Sequence, residues 1–132
     1  MWRVSRTNQQ AWYNGAAYGR KGESAMGAKR RILDEIVERI LETGRPQRII
    51  LFGSRARGTA RPDSDFDLLV IKESEEPRYR RSAPLYTRLA DLPVEVEIMV
   101  YTPEEISAWS NVPEAFVTTA IREGKVLYEG QS

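Results

Sequence analysis

Residues 48–71 read Arg-Ile-Ile-Leu-Phe-Gly-Ser-Arg-Ala-Arg-Gly-Thr-Ala-Arg-Pro-Asp-Ser-Asp-Phe-Asp-Leu-Leu-Val-Ile, and this stretch decides the fold. It contains two runs of strand-forming residues, 48–52 and 65–71, separated by a loop that carries Gly58 and Pro62. The second run is apolar on both sides after its two aspartates, a pattern typical of a strand buried in the centre of a sheet. We therefore predict a short strand, a sharp turn at Gly53, and a central buried strand.

Helix and strand patterns alternate on both sides of this stretch. Apolar residues at helical spacing predict an amphipathic helix over 28–43, which Gly44 and Pro46 would end. Residues 78–92 also look helical, but Pro84 either begins the real helix at Leu85 or kinks a longer one.

The C-terminal third continues the alternation. A third strand is predicted over 94–100, and Thr102-Pro103-Glu104-Glu105 has the pattern of a helix capping box. A further helix follows Pro113 and ends at Gly124, and residues 125–129 predict a short edge strand. This order predicts an α+β fold with a mixed central sheet and helices packed on it.

The chain has 132 residues, which suits a single domain. Residues 1–27 are polar and rich in glycine without a clear period, so we expect a flexible N-terminal extension before one domain over 28–132. No apolar run is long enough for a membrane helix or a secretory signal, and we expect a cytoplasmic protein.

The residue types restrict the chemistry. The chain has no cysteine and no histidine, which excludes disulfides, zinc sites built from these residues, thiol nucleophiles and imidazole-based triads. Carboxylates, hydroxyls and cations remain, and such groups favour Mg²⁺ as a metal. The formal net charge of +1 gives no indication of a long nucleic-acid substrate.

Carboxylates predict a metal site at the start of the second strand. Asp65 and Asp67 are two residues apart, so on a strand their side chains point to the same face. A third carboxylate on a neighbouring strand, Glu97 or its same-face neighbour Glu95, would complete an oxygen cluster suited to two Mg²⁺ ions. The alternative is a solvated strand end with no ligand.

The turn after the first strand is the predicted phosphate site. Gly53 allows close backbone approach, and the Ser54 hydroxyl can donate to a phosphate oxygen. Arg55 is the strongest candidate to neutralise that phosphate, with Arg57 as a second, while Ser64 is placed to shape the turn that enters the next strand.

Gly53-Ser54, ten intervening residues and Asp65-Phe66-Asp67 form a pattern that resembles the minimal nucleotidyltransferases of the DNA polymerase beta superfamily. The segment 96–105 is similar to that family's third-carboxylate strand and following helix. The resemblance implies a polymerase-beta-like fold and transfer of a nucleoside monophosphate from ATP or another nucleoside triphosphate to an acceptor hydroxyl. It also implies that Asp65 and Asp67 bind two Mg²⁺ ions, and that Glu97 binds the ion that activates the acceptor. Ser64, with Gly53, Ser54 and Arg55, is assigned to the nucleotide.

The family more often has Asp at the third position, and Glu97 is one methylene longer, so either the site is adjusted or activity is reduced. Family members include antitoxins that, by resemblance, transfer AMP to a tyrosine of a small helical HEPN-type partner. The other hypothesis, from a different functional class, is a weakly active or inactive nucleotide-binding module that covers a partner protein. Exposed apolar residues such as Trp109 and Phe116 would serve that surface.

Overall fold

The computed structural model describes the backbone of residues 25–30 and all atoms of residues 31–61, 64–112 and 115–130. Most of the predicted N-terminal extension, residues 1–24, lies outside the described residues, as do Pro62, Asp63 and Pro113. In chain order the elements are α1 (Ala25–Thr43), β1 (Arg48–Phe52), α2 (Ser54–Arg57), β2 (Phe66–Ile71), α3 (Arg78–Arg81), α4 (Ala83–Leu89), β3 (Val96–Tyr101), α5 (Pro103–Trp109), α6 (Phe116–Glu123) and β4 (Lys125–Glu129).

The four strands form one mixed sheet in the order β3-β2-β1-β4. β1 pairs antiparallel with β2 and β4, whereas β2 and β3 are parallel. The parallel pair needs a crossover connection, which α3 and α4 supply. β2 is central and buried as predicted, and β4 is the predicted edge strand, so the expected α+β fold with a mixed sheet is confirmed.

Apolar side chains pack on both faces of the sheet. On one face, α1 and α4 cover a large cluster that includes Phe66, Leu68 and Val70 of β2. On the other face, α6 covers a smaller cluster that includes Leu69 and Ile71. Because side chains alternate along a strand, the even-numbered β2 residues face α1 and the odd-numbered ones, including position 67, face α6. The predicted acidic residues thus belong to the less covered side of the sheet.

Several predicted boundaries differ from the structure. α1 begins at Ala25, before the predicted residue 28, and β3 begins at Val96 instead of residue 94. β2 begins at Phe66, so Asp65 precedes the strand instead of belonging to it. These shifts leave the order and type of the elements unchanged.

Of the two alternatives for Pro84, the structure supports the one in which a helix begins there, although that helix starts at Ala83 instead of Leu85. Ser82 interrupts the helical segment and separates α3 from α4. Pro84 lies in the first turn of α4, which begins at Ala83. Amide groups in the first turn of a helix have no intrahelical acceptor, so a proline there removes no hydrogen bond. Pro84 is therefore compatible with a helix that starts before it.

The predicted capping box at α5 is confirmed and carries an additional partner. The Glu105 amide donates to Thr102 Oγ1 at 3.1 Å, and the Thr102 amide donates to Glu105 Oε1 at 2.9 Å. Arg81 donates to both carboxylate oxygens of Glu105, at 2.7 and 3.2 Å, and its side chain is only 9% exposed. Arg81 therefore joins α3 to the capping box of α5, although its acceptor lies 24 residues away in the chain.

Among the described helices, none has the length and apolar character that crossing a lipid bilayer requires.

Candidate active site

The carboxylates predicted to form the site lie at one end of the parallel strands β2 and β3. Asp67 is the second residue of β2 and is the direct register partner of Glu97 on β3 and of Phe52 on β1. Register partners on adjacent strands project to the same face of a sheet. Asp65 precedes the strand and is exposed, as is Glu97, whereas Asp67 is half-buried. Asp67 and Glu97 therefore project side by side from the face of the sheet that α6 covers, and Asp65 lies two residues before Asp67 in the chain.

The pKa of the Asp67 carboxyl depends on its burial and on neighbouring charges. Burial raises the pKa of the Asp67 carboxyl, and the negative charges of Glu97 and Asp65 raise it further, while the positive charge of Arg57 opposes them. Glu95, the alternative third carboxylate, is not one of the charges that shift this pKa; it precedes β3, and its carbonyl accepts from the Phe66 amide at 3.0 Å. The structure thus associates Glu97, and not Glu95, with Asp67.

Within residues 25–61, 64–112 and 115–130, no three acidic side chains stand close enough to form a ready-made metal site. The donor set nevertheless fits a hard divalent cation, because all three groups are carboxylates. In addition, the negative charges of Glu97 and Asp65 repel the ionised carboxylate of Asp67. A cation would relieve that repulsion. Asp65 and Glu97, both exposed, are the two side chains that would have to move toward it.

Gly53 makes the closest backbone approach to the acids. Its φ is +76°, and a Cβ built on it would lie 3.2 Å from Asp67 Cγ and overlap the Oδ2 atom. The Gly53 carbonyl accepts from the amides of Ala56 and Arg57, both at 3.1 Å, which turns the chain into α2. The Gly53-Ser54 turn therefore lies directly against the Asp67 carboxylate, as the sequence pattern requires.

Arg55 is engaged within the protein. Its guanidinium donates to the Ser64 carbonyl through Nε at 3.1 Å and Nη2 at 2.5 Å, and it lies 4.2 Å from the centroid of the Phe66 ring. Ser64 Oγ in turn accepts from the Arg61 amide at 2.8 Å, which is the turn-shaping role expected of it. Both residues assigned to the nucleotide thus hold the segment that leads to Asp65. Arg57 is the exposed cation whose charge reaches Asp67.

Sequence analysis missed one feature beside the acids. A cavity of about 270 Å³ opens next to the turn, lined by Phe52, Gly53, Arg57, Phe116, Thr119, Ala120 and Glu123. The rings of Phe52 and Phe116 meet edge to face, with centroids 5.2 Å apart and planes at 78°. The only signal in the sequence was that Phe116 was expected to be exposed, and it is 44% exposed.

Comparisons with known proteins agree with the geometry. Two solved structures are similar. One is a candidate nucleotidyltransferase from Sulfolobus solfataricus, at 26% identity and TM-score 0.51, covering 67% of this chain and 82% of that one. The other is a toxin-antitoxin with AMP-PNP, at 20% identity and TM-score 0.52, covering 74% of this chain and 73% of that one. Comparison with curated proteins finds no match.

The comparison with protein families identifies the domain. Residues 30–122 match the family described as the nucleotidyltransferase domain, and this range includes the Gly53-Ser54 turn, both aspartates and Glu97. The match extends from α1 to α6 and leaves out only β4 among the described strands. The chain therefore belongs to the nucleotidyltransferase domain family.

Proposed function

We propose that this protein is an Mg²⁺-dependent nucleotidyltransferase that moves a nucleoside monophosphate, AMP from ATP, onto an acceptor hydroxyl. One observation carries the proposal: Asp67 lies between the Gly53 turn, which touches its carboxylate, and Glu97, its register partner. A phosphate-binding turn and a set of carboxylates are the two parts that metal-assisted phosphoryl chemistry requires. Here they are adjacent.

In this reaction the acceptor oxygen forms a bond to the α-phosphorus while the bond from that phosphorus to the bridging oxygen of the β-phosphate breaks, and pyrophosphate leaves. Two Mg²⁺ ions, when bound, would neutralise charge on the attacking and leaving oxygens. Asp65 and Asp67 would hold both ions and Glu97 the one at the acceptor. Gly53 and Ser54 would position the triphosphate through backbone amides and a hydroxyl, and Arg57 would face its charge.

The acceptor in this proposal is a protein. The fold resembles a toxin-antitoxin with AMP-PNP, and the family resemblance of the sequence points to a tyrosine on a small helical HEPN-type partner. Large apolar side chains remain exposed among the described residues, and Trp109, Val112 and Phe116 are among them. Such side chains supply contact area for a protein partner.

One observation favours a second function, a binding module with little or no transfer activity. The three carboxylates are not already gathered as a metal site in the described part of the chain. In addition, Glu97 is one methylene longer than the aspartate that the family more often has at this position. A protein that needs only to cover its partner would not need them gathered. The two functions differ in whether the carboxylates are required.

The deciding experiment compares the wild type with the double variant Asp65→Asn, Asp67→Asn. ATP labelled on its α-phosphate is supplied with Mg²⁺ and a small helical HEPN-type protein as the acceptor, and label transfer and complex formation are measured separately. We expect the double variant to lose transfer while its thermal unfolding and partner binding persist. No labelling by the wild type while the partner binds would support the binding module instead. Undiminished labelling by the double variant would show that Asp65 and Asp67 do not carry the transfer.

A further inference from the structure

We propose that the cavity beside the turn, lined by Phe52, Phe116 and the helix α6, binds the base of the nucleoside triphosphate. This inference rests on the proposed function, because it assigns one part of the same substrate. The cavity shares Gly53 and Arg57 with the phosphate turn. It is therefore continuous with the place where the phosphates would lie.

The sheet register connects the aromatic pair to the carboxylates. Phe52 is the β1 partner of Asp67, so its side chain and the carboxylate stand next to each other on the same face. Phe116 lies at the start of α6 and meets Phe52 edge to face. If the phosphates of a nucleotide lie at Asp67, its base can therefore enter the adjoining cavity and contact the Phe116 ring.

The contact between the two rings fixes Phe116 while leaving it open to a ligand. Edge-to-face packing with centroids 5.2 Å apart holds the ring, yet 44% of the residue remains exposed. Burial of an aromatic residue in the core would remove that exposure. An anchored ring with free surface is what base stacking needs, and stacking accepts any base because each has a π-face.

The volume of the cavity supports a base in preference to a whole nucleotide. At about 270 Å³, it falls below the roughly 300–1,000 Å³ of pockets that enclose a drug-sized ligand. One ring system fits it, and the sugar and phosphates would remain outside at the turn. The charged ends of the triphosphate would then stay near Arg57 and the carboxylates, where cations can reach them.

Polar groups on α6 complete the site. Thr119 and Glu123 follow Phe116 at spacings of three and seven residues and line the same cavity, so they lie on one face of the helix. A hydroxyl can donate or accept, and a carboxylate accepts from amino groups. These are the groups that orient a stacked base by its polar edge.

Binding measured by calorimetry tests the proposal without requiring turnover. Wild type, Phe116→Leu and Phe116→Trp are titrated with ATP, GTP and inorganic tripolyphosphate in the presence of Mg²⁺. Tripolyphosphate has no base, so it reports only the phosphate site. The matched control is Tyr79→Leu, because Tyr79 is 79% exposed and does not line the cavity.

We expect Phe116→Leu to weaken ATP and GTP binding by roughly fivefold to a hundredfold, the range that loss of one base–aromatic stack produces. Tripolyphosphate binding should stay unchanged, Phe116→Trp should bind ATP and GTP more tightly than wild type, and Tyr79→Leu should match wild type for all three ligands. Thermal unfolding checks that each variant is folded. If Phe116→Leu does not fold, Phe116→Trp decides the question: a higher affinity for ATP relative to tripolyphosphate supports the base site, and an unchanged ratio overturns it.

Equal ATP affinity in Phe116→Leu and wild type, or an equal loss for ATP and tripolyphosphate, would overturn the base site and leave the proposed function standing. Loss of partner binding in Phe116→Leu with unchanged ATP affinity would show that a protein side chain occupies the cavity. If the wild type binds neither ATP nor tripolyphosphate, the proposed function fails together with this inference.

Discussion

Asp67 of β2 and Glu97 of β3 occupy the same register position of two parallel strands, although 30 residues separate them in the sequence. Their carboxylates therefore project from the same face, and the charge of Glu97 is one of the causes that raise the pKa of Asp67. Mutual repulsion between acids held side by side is unfavourable unless a cation compensates it. This pair is the strongest structural indication of a metal-dependent site.

Glu97→Gln should lower transfer by about 10²- to 10³-fold, because a bound metal contributes several kcal/mol to transition-state stabilisation and about 1.4 kcal/mol corresponds to tenfold in rate. Glu95→Gln is the matched control and should retain wild-type transfer, since Glu95 does not act on Asp67. Rates of labelled-nucleotide transfer at saturating Mg²⁺ measure the effect. A larger loss of transfer in Glu95→Gln than in Glu97→Gln would show that the third carboxylate is Glu95 and not Glu97.

Gly53 and Gly58 compare a glycine that contacts Asp67 with one that does not. Both have positive φ, +76° and +77°, but Gly58 is in the left-handed helical region, whereas Gly53, with ψ of −157°, is in a region that is almost exclusive to glycine. A Cβ on Gly58 would meet nothing within 4 Å. Alanine should cost roughly 1–2 kcal/mol of folding free energy at Gly58 and more at Gly53. Gly53→Ala should lose transfer as well, because its methyl group displaces the Asp67 carboxylate.

Urea unfolding and transfer assays on Gly53→Ala and Gly58→Ala give both quantities. The expected pattern is a larger destabilisation in Gly53→Ala than in Gly58→Ala, with activity retained only in Gly58→Ala. Full activity in Gly53→Ala would mean that the carboxylate position is not important for the reaction.

The two arginines of α2 should behave differently. Arg57→Gln should weaken ATP binding by about tenfold, the loss expected for one hydrogen bond to a charged group, while stability changes little because the side chain is exposed. Arg55→Gln should reduce stability by about 1–2 kcal/mol, because it loses the bonds to the Ser64 carbonyl and the contact with the Phe66 ring. Calorimetric titration and chemical unfolding of both variants are the measurements. Weaker ATP binding in Arg55→Gln without a stability change would instead assign the phosphate contact to Arg55.

Acid pH should weaken the packing of α5 through Glu105. Hydrogen bonds from Arg81 lower the pKa of the Glu105 carboxyl, so the stabilisation is present above the pKa of the unfolded chain and is lost as pH falls through the folded pKa. Glu105→Gln keeps the capping acceptor but removes the charge. It should cost about 1.5 kcal/mol at pH 7, the lower end for bonds to charged groups because the side chain is 28% exposed.

The difference between Glu105→Gln and the wild type should shrink toward zero as pH falls below the folded pKa of Glu105, where both side chains are neutral. Urea unfolding at several pH values measures it, with Glu104→Gln, an exposed residue of the same turn, as the control. A difference that stays constant with pH would show that the charge of Glu105 contributes nothing.

Local sequence determined the elements that depend on neighbouring residues. β1 has the predicted bounds Arg48–Phe52, and the Thr102–Glu105 capping box forms as expected, because its hydrogen bonds join residues three positions apart. The Gly-Ser turn and the Asp-x-Asp spacing indicated the family by themselves. Features of this kind join residues that are only two or three positions apart, so the local chain geometry is enough to predict them.

Tertiary structure decided which distant groups meet. Strand order and parallel register place Glu97 beside Asp67, and the same pattern would have allowed Glu95. Arg55 binds the Ser64 carbonyl instead of standing free, and Phe116 meets Phe52 across 64 residues of chain. Hydrophobic periodicity shows which face of an element is buried, but it carries no information on which partner covers that face. The partner of each face depends on which helix packs on which face of the sheet. Contacts between distant elements therefore appear only once the chain is folded.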